Sequence, residues 1–306
     1  PDAWMYGDPE SHDLRRALSG KLGVGMSNIV CGAGIDGLLN SLVRLFVGPA
    51  DAVVTSDGAS PTFNYHVAGY GGTLTKVPFR DDKEDPEALL KAAADTGARL
   101  IYLANPDNPM GSHHAAGVID DMIADLPDEC LLVLDEAYVE FAPEGTAPLI
   151  DVTEPQVLRL RTFSKAYGLA GMRVGYAVGE TETIRAFDKV RNHFGMSRVS
   201  QAAALAALDD EEFLQETQKV VREGLAFLYG ELAKLQLRTH PTQANFFLIE
   251  VKHDGRKVYE AMLRRGVIVR AMNSYGLNNY IRISVGRPEE NQRFVDTLKE
   301  VMAELE

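Results

Sequence analysis

Arg159-Leu160-Arg161-Thr162-Phe163-Ser164-Lys165, continued by Gly168-Leu169-Ala170-Gly171-Met172-Arg173, joins a strand-like run to a cluster of chemical groups. The pattern predicts a strand that ends at Thr162. A lysine amine, two hydroxyls and an arginine gather just beyond it. Such a cluster can hold a phosphate and present an amine. An aldehyde that carries a phosphate needs both, because a lysine amine condenses with the aldehyde and the phosphate oxygens need donors.

Outward from this stretch, short apolar runs alternate with longer helical patterns. Ala52 to Thr55, Thr73 to Val77, Leu100 to Ala104, Leu131 to Leu134, Val157 to Thr162 and Val174 to Val178 read as strands. Several are nearly apolar throughout, as strands covered on both faces are. Ile35 to Phe46, Pro86 to Thr96, Ala115 to Leu126 and Thr181 to Asn192 read as helices. This rhythm predicts an α/β fold, with a mostly parallel central sheet and helices on both faces. Ligands of such sheets collect beyond the carboxyl ends of the strands. The polar clusters Asn105 to Gly111, Asp135 to Tyr138, and Ser164 with Lys165 fall there.

The pattern changes near residue 200. Gln201 to Leu208, Glu211 to Leu235, Arg256 to Arg265 and Glu289 to Leu305 read as helices, and Asn245 to Val251, Val267 to Arg270 and Tyr280 to Ser284 as strands. The chain is therefore expected to form a large cofactor-binding α/β domain over 20–195 and a smaller α+β domain from 1–19 and 196–306. An N-terminal arm rich in Trp, Tyr, Gly and Pro leads to a helix at His12 to Leu18. The opening at Pro1 points to a leader ahead of it in the full gene product.

Composition narrows the function classes. A chain of 306 residues, 45% apolar, can bury a substantial core. No apolar run approaches about 18 residues, so no spanning helix or membrane role is expected. A net charge of -13 argues against nucleic acid and anionic membranes as partners. It remains compatible with an anionic small molecule, since local arginines can reverse the field in a pocket. Cys31 and Cys130 are expected as buried thiols in a cytoplasmic protein. No zinc-finger, EF-hand or HExxH pattern occurs, and adjacent His113 and His114 read as surface or capping residues, so no metal is expected.

The remaining motifs suit pyridoxal 5'-phosphate held on lysine as a Schiff base. Its ring withdraws electrons best when the pyridine nitrogen is protonated, which a buried carboxylate opposite that nitrogen secures. Asp135 follows an apolar strand directly and fits that place. Tyr138 and Asn108 could hydrogen-bond the phenolic oxygen, and the two Asn-Pro steps of 105–109 would fix a rigid turn. Gly32-Ala33-Gly34-Ile35-Asp36 opens a helix whose amides could meet the phosphate, with Thr162, Ser164 and Arg173 completing the cup. Tyr65 could stack on the ring, and Arg282 and Arg270 could clamp a substrate anion. Asp135-Glu136-Ala137-Tyr138 also resembles a Walker B ending, but no phosphate-binding GxxxxGK[ST] loop accompanies it.

Taken in order, these segments resemble the fold-type I pyridoxal-phosphate aminotransferases, specifically the histidinol-phosphate aminotransferase family. The segments are Tyr6-Gly7-Asp8-Pro9 with Leu14-Arg15, Gly32 to Asp36, Pro61 to Tyr65, Asn105 to Gly111, Asp135 to Tyr138, Arg161 to Gly171 and Tyr280 to Gly286. The resemblance implies that Lys165 is the Schiff-base lysine and the base for the Cα proton. It implies Asp135 on the pyridine nitrogen, Asn108 and Tyr138 on the phenolic oxygen, and Tyr65 stacked on the ring. Ile35, Asp36, Ser164 and Arg173 would hold the phosphate, with Thr162 near it. It further implies a homodimer in which Tyr6 reaches the other subunit's cofactor phosphate. Arg282 would bind the substrate carboxylate or phosphate, assisted by Arg270.

The sequence departs from the family at several points. Met110 stands where threonine is usual, Gly37 where glutamate often follows the aspartate, and Asn192-His193-Phe194-Gly195 replaces the usual proline and asparagine around the phenylalanine. The family's leader, with its Asn-Glu-Asn-Pro signature and a substrate-covering tyrosine, is expected ahead of Pro1 and is not among these residues. The expected reaction interconverts L-histidinol phosphate plus 2-oxoglutarate and imidazole-acetol phosphate plus L-glutamate. An aromatic amino-acid aminotransferase, a phosphothreonine decarboxylase and a non-catalytic homologue are the alternatives.

Overall fold

The computed structural model describes residues 4–59 and 61–305. The first part of the chain runs α1 (His12–Leu22), β1 (Ile29–Gly32), α2 (Gly34–Phe46), β2 (Ala52–Ser56), α3 (Pro61–Gly69), β3 (Thr73–Val77), α4 (Pro86–Thr96), β4 (Leu100–Ala104), α5 (Ala116–Ala124) and β5 (Leu131–Asp135). It continues through β6 (Val157–Thr162), β7 (Gly175–Gly179), α6 (Thr181–Ala186), α7 (Arg198–Asp209) and α8 (Glu211–Lys234). The last elements are β8 (Arg238–Thr239), β9 (Phe246–Glu250), α9 (Gly255–Arg264), β10 (Arg270–Ala271), β11 (Tyr280–Ser284) and α10 (Pro288–Leu305).

Seven strands form one sheet in the order β1-β7-β6-β5-β4-β2-β3. β3, β2, β4, β5 and β6 are mutually parallel, while β7 is antiparallel to both β6 and β1. The antiparallel turn goes with a connection that forms no α-helix. Thr162 pairs with Gly175, and the connection between them holds only a 3-10 turn at Ala170–Met172, with no crossover helix to carry the chain back. β5 is buried along its whole length, which accounts for its unbroken apolar run. Apolar clusters cover both faces of the sheet. Leu38, Leu42 and Phe63 pack against Val133, Leu158 and Leu160, while Leu89 and Ile119 pack against Ile101, Leu132 and Leu134.

A second sheet has the order β10-β11-β9-β8, and its cluster joins α8, α9 and α10 through Leu228, Met262, Val295 and Leu298. α1, which the sequence reading groups with this smaller unit, buries Leu14 and Leu18 with Ile29, Phe163, Tyr176 and Ala204 beside the large sheet. Three of these elements escaped the sequence reading: β1, a four-residue edge strand, α3, whose sequence carries no clear apolar face, and the two-residue β8. The helix expected to Asn192 ends at Ala186 and passes into a 3-10 turn at Phe187–Lys189.

Cys130 is buried and Cys31 partly so; burial pushes their thiols up, to about 11 and about 12. Among the described residues no helix is long and apolar enough to cross a membrane.

Candidate active site

A cleft of about 370 Å³ opens at the carboxyl ends of β4, β5 and β6. It is lined by Ile35, Asp36, Asn108, Asp135, Tyr138, Thr162, Ser164, Lys165, Arg173, Arg270 and Arg282. The parallel strands deliver most of these side chains because each leaves its last residue at the same edge. Arg159 and Arg161 of the opening stretch do not enter the cleft. Both bind buried Glu136, Arg161 through its Nε at 2.8 Å. Burial opposes charge on Glu136, yet Arg161 and Arg159 outweigh it and hold the carboxyl below its ordinary range. Successive residues point to opposite sides, so Asp135 meets the cleft while Glu136 anchors β6.

Lys165 Nζ lies 5.1 Å from the centre of the Tyr138 ring. Tyr138 is buried, edge-on to Phe246 at 5.1 Å. Asp135 takes the Ala137 N–H on Oδ1 at 2.9 Å and the Tyr102 hydroxyl on Oδ2 at 2.6 Å. Burial pushes its carboxyl above the usual range, against the pull of Tyr102, Ala137 and Lys165. An opposing cation would find this acid already placed and short of charge compensation.

The phosphate end is a cup of backbone and hydroxyl donors. α2 starts at Gly34 with Ala33 as its cap residue, and no side chain caps it. Its first amides therefore lack intrahelical partners and carry the favourable end of the helix dipole. Gly34 has φ +74°, and a Cβ there would collide with the Arg173 guanidinium. A Cβ on Gly175 would come within 2.9 Å of the Gly34 carbonyl carbon and the Ile35 nitrogen. These two glycines let helix, strand and arginine crowd together. Arg173 donates to Ser164 Oγ at 3.3 Å, and the Ser164 N–H donates to Thr162 Oγ1 at 3.1 Å. The Asp36 carboxylate is drawn aside to His66 Nε2 at 2.8 Å, which leaves its backbone amide for an anion. The cup thus fits a phosphate, and the lysine and carboxylate fit the rest of a phosphorylated pyridine aldehyde.

On the opposite wall, Arg270 of β10 and Arg282 of β11 are directly paired across the small sheet. Arg282 donates to Asn108 Oδ1 and lies 4.5 Å from the Phe246 ring. Arg270 lies 5.5 Å from the Tyr275 ring.

The sequence matches the family model for aminotransferases of class I and II over residues 2–298. It is 35% identical to the histidinol-phosphate aminotransferase of Moorella thermoacetica over 98% of this chain and 78% of the relative. The histidinol-phosphate aminotransferase 1 of Nitrosococcus oceani is 38% identical over 99% of this chain and 82% of the relative. The chain belongs to the histidinol-phosphate aminotransferase family. A solved member, the Sinorhizobium meliloti enzyme in complex with pyridoxal-5'-phosphate, superposes with a TM-score of 0.97 at 45% identity, over 100% of this chain and 84% of that one. A mutant Thermus thermophilus aspartate aminotransferase superposes at 0.86 with 23% identity, over 97% of this chain and 88% of that one, which speaks for the fold alone.

Two residues expected at the family's site lie outside the cleft lining. Tyr65 sits on the outward side of α3 and is 72% exposed. The reason is helical phase: Phe63, two residues earlier, turns inward and stacks on Tyr102 at 4.6 Å, and two residues rotate a helix by about 200°. Tyr65 is therefore not brought to the site within this subunit, and Tyr102, Tyr138 and Tyr275 are aromatics that line it. Tyr6 is 80% exposed, with its ring 5.0 Å from that of Phe194. Tyr102, His66 and Tyr275 escaped the sequence reading. The spacing of Tyr102 from Asp135 carries no signal, because their contact depends on β4 lying beside β5.

The departures from the family fall into different places. Met110 is buried with Leu248 and Met272, against Tyr275, so an apolar side chain fits where threonine is usual. His193 and Gly195 line another cleft, of about 450 Å³, with Cys31, Asn40 and Arg44. The His114 backbone N–H donates to Asn105 Oδ1 at 2.8 Å and its Nε2 lies 2.8 Å from the Glu84 carbonyl oxygen, so the ring links two loops rather than capping a helix.

Proposed function

We propose that this chain is a pyridoxal-phosphate-dependent histidinol-phosphate aminotransferase. The reading is carried by one cleft that holds Lys165, Asp135 and the paired Arg270 and Arg282. The names of its relatives support the same substrate. When bound, pyridoxal phosphate supplies an electron-withdrawing ring and a resting place for the amino group between two half-reactions.

The chain's own residues supply the rest. The amides of Ile35 and Asp36, the Ser164 hydroxyl and the Arg173 guanidinium bind the phosphate, with Thr162 fixing Ser164. Asp135 keeps a proton on the ring nitrogen by charge pairing. Asn108 has its Oδ1 engaged by Arg282, so its Nδ2 is the donor left for the phenolic oxygen, beside the Tyr138 hydroxyl. Lys165 is the amine that would hold the aldehyde carbon of the bound group and, once a donor's amine has taken its place there, would be free to move the proton of the substrate Cα. Arg282 and Arg270 bind the donor's phosphate in one half-reaction and a carboxylate of glutamate or 2-oxoglutarate in the other. We propose a homodimer, with exposed Tyr6 crossing to the partner's phosphate cup.

A phenyl-bearing donor is the second reading. Phe246 and Tyr275 flank the two arginines, so an aromatic ring would find apolar neighbours beside a carboxylate site. The deciding experiment loads the protein with pyridoxal phosphate and follows loss of its aldehyde-type absorbance with a panel of amino donors. A higher kcat/KM for histidinol phosphate than for phenylalanine upholds the first reading. The reverse order establishes the second, and no loss with any donor overturns both.

A further inference from the structure

Tyr102 occupies the floor of the cleft without a part in the chemistry above. It is 2% exposed, and its hydroxyl donates to Asp135 Oδ2 at 2.6 Å. Register explains the reach. Ala104 pairs with Asp135 and Tyr102 with Val133, so Tyr102 and Asp135 are diagonal neighbours on one face of adjacent parallel strands. Such neighbours are about 7–8 Å apart at Cα, a span an aromatic side chain can bridge. On its other side the Tyr102 ring is stacked on buried Phe63 at 4.6 Å and 15°. The phenol therefore has little freedom to swing away.

We propose that Tyr102 is a positioning residue, whose phenol aims and orients the Asp135 carboxylate toward the ring nitrogen of the cofactor. The inference rests on the cofactor reading of this cleft. Asp135 has one donor on each oxygen, Ala137 N–H on one and Tyr102 on the other, so rotation of the carboxylate would break both bonds. The phenol also favours the ionised acid. Burial pushes the Asp135 carboxyl up, and the Tyr102 bond is the first influence that opposes it. Burial and the neighbouring Asp135 push the Tyr102 hydroxyl well above its ordinary value, so it stays a donor through the working pH range.

The alternative is that Tyr102 is only a core aromatic, paired with Phe63. Two variants separate the roles. Tyr102→Phe keeps the ring and the stack and removes the donor; Phe63→Leu disturbs the stack and keeps the donor. The titration of Asp135 is read by carbon NMR in cofactor-free protein, alongside the dissociation constant for added pyridoxal phosphate. Loss of a hydrogen bond to a charged group should weaken cofactor binding about 10- to 100-fold in Tyr102→Phe, with Asp135 titrating at higher pH. Phe63→Leu should leave the Asp135 titration near wild type. An unchanged titration in Tyr102→Phe, or an equal change in both variants, overturns the inference. Should Tyr102→Phe not fold, incorporation of 3-fluorotyrosine strengthens the donor in the intact fold and should move the Asp135 titration down; no movement overturns the proposal. A wild-type protein that binds no pyridoxal phosphate would refute the cofactor reading, while the NMR titration would still report on Tyr102 and Asp135.

Discussion

Arg270 and Arg282 stand opposite each other in antiparallel register, two like charges on neighbouring strands. Directly opposed like charges destabilise a sheet. Burial, together with Arg270, pushes the Arg282 guanidinium down, while the phenols of Tyr138 and Tyr275 push it up. An anion between the two arginines would relieve the repulsion, so the pair is expected to bind one. Arg282→Ala should lower kcat/KM about 10- to 100-fold in both half-reactions, the loss expected for a hydrogen bond to a charged group. Arg270→Ala should harm histidinol phosphate more than phenylalanine. Equal losses with both donors would remove Arg270 from phosphate recognition.

Among the described residues Lys165 is the only lysine on the cleft lining. Borohydride reduction of the loaded enzyme followed by peptide mapping should label Lys165 alone. Lys165→Ala should remain folded and bind pyridoxal phosphate weakly, without a covalent link. A label on any other lysine would end this assignment.

Asp135→Ala should retain the fold, because the sheet around it is held by apolar clusters on both faces. Turnover should fall on the order of 10²-fold or more, in the chemical step. Single-turnover rates near wild type would show that the carboxylate has another task.

Tyr6 extends from the N-terminal arm with most of its surface exposed. Tyr6→Phe should weaken cofactor retention and leave the dimer intact. Sedimentation at assay concentration checks the premise, and a fully active monomer would contradict it.

Glu84 supplies a pH test of stability that is separate from turnover. It is 2% exposed and accepts from Ser56 Oγ at 2.6 Å and the Ala104 N–H at 3.0 Å. Burial first, then the nearby Asp107, pushes its carboxyl from 4.5 to about 8. A folded-state value above the unfolded one means that the unfolded chain gives up the proton first as pH rises. Stability from this group is complete below pH 4.5 and declines up to about pH 8. Glu84→Gln should therefore flatten this part of the stability curve and raise the pH 8 denaturation midpoint relative to wild type. Urea titrations at pH 5 and pH 8 measure it, and parallel curves for the two proteins would contradict the assignment.

The sequence alone determined the α/β alternation and the places where chemistry gathers. Apolar runs such as Leu131 to Leu134 mark buried strands, and Asp135 and Ser164-Lys165 follow strand ends directly. Local order suffices there because a parallel sheet brings its strand ends to one edge. Periodicity could not reveal α3, whose apolar residues do not gather on one face, or the phase that buries Phe63 and exposes Tyr65. The reversal of β7 was also hidden, because the link after Thr162 is long enough for either direction and forms no α-helix. Contacts between distant segments belonged to the tertiary structure alone. Tyr102 reaches Asp135 because β4 lies beside β5, His66 draws Asp36 aside because α3 packs on α2, and Arg270 faces Arg282 through strand register. Spacing along a chain encodes which groups are near in sequence; only packing decides which groups meet across it.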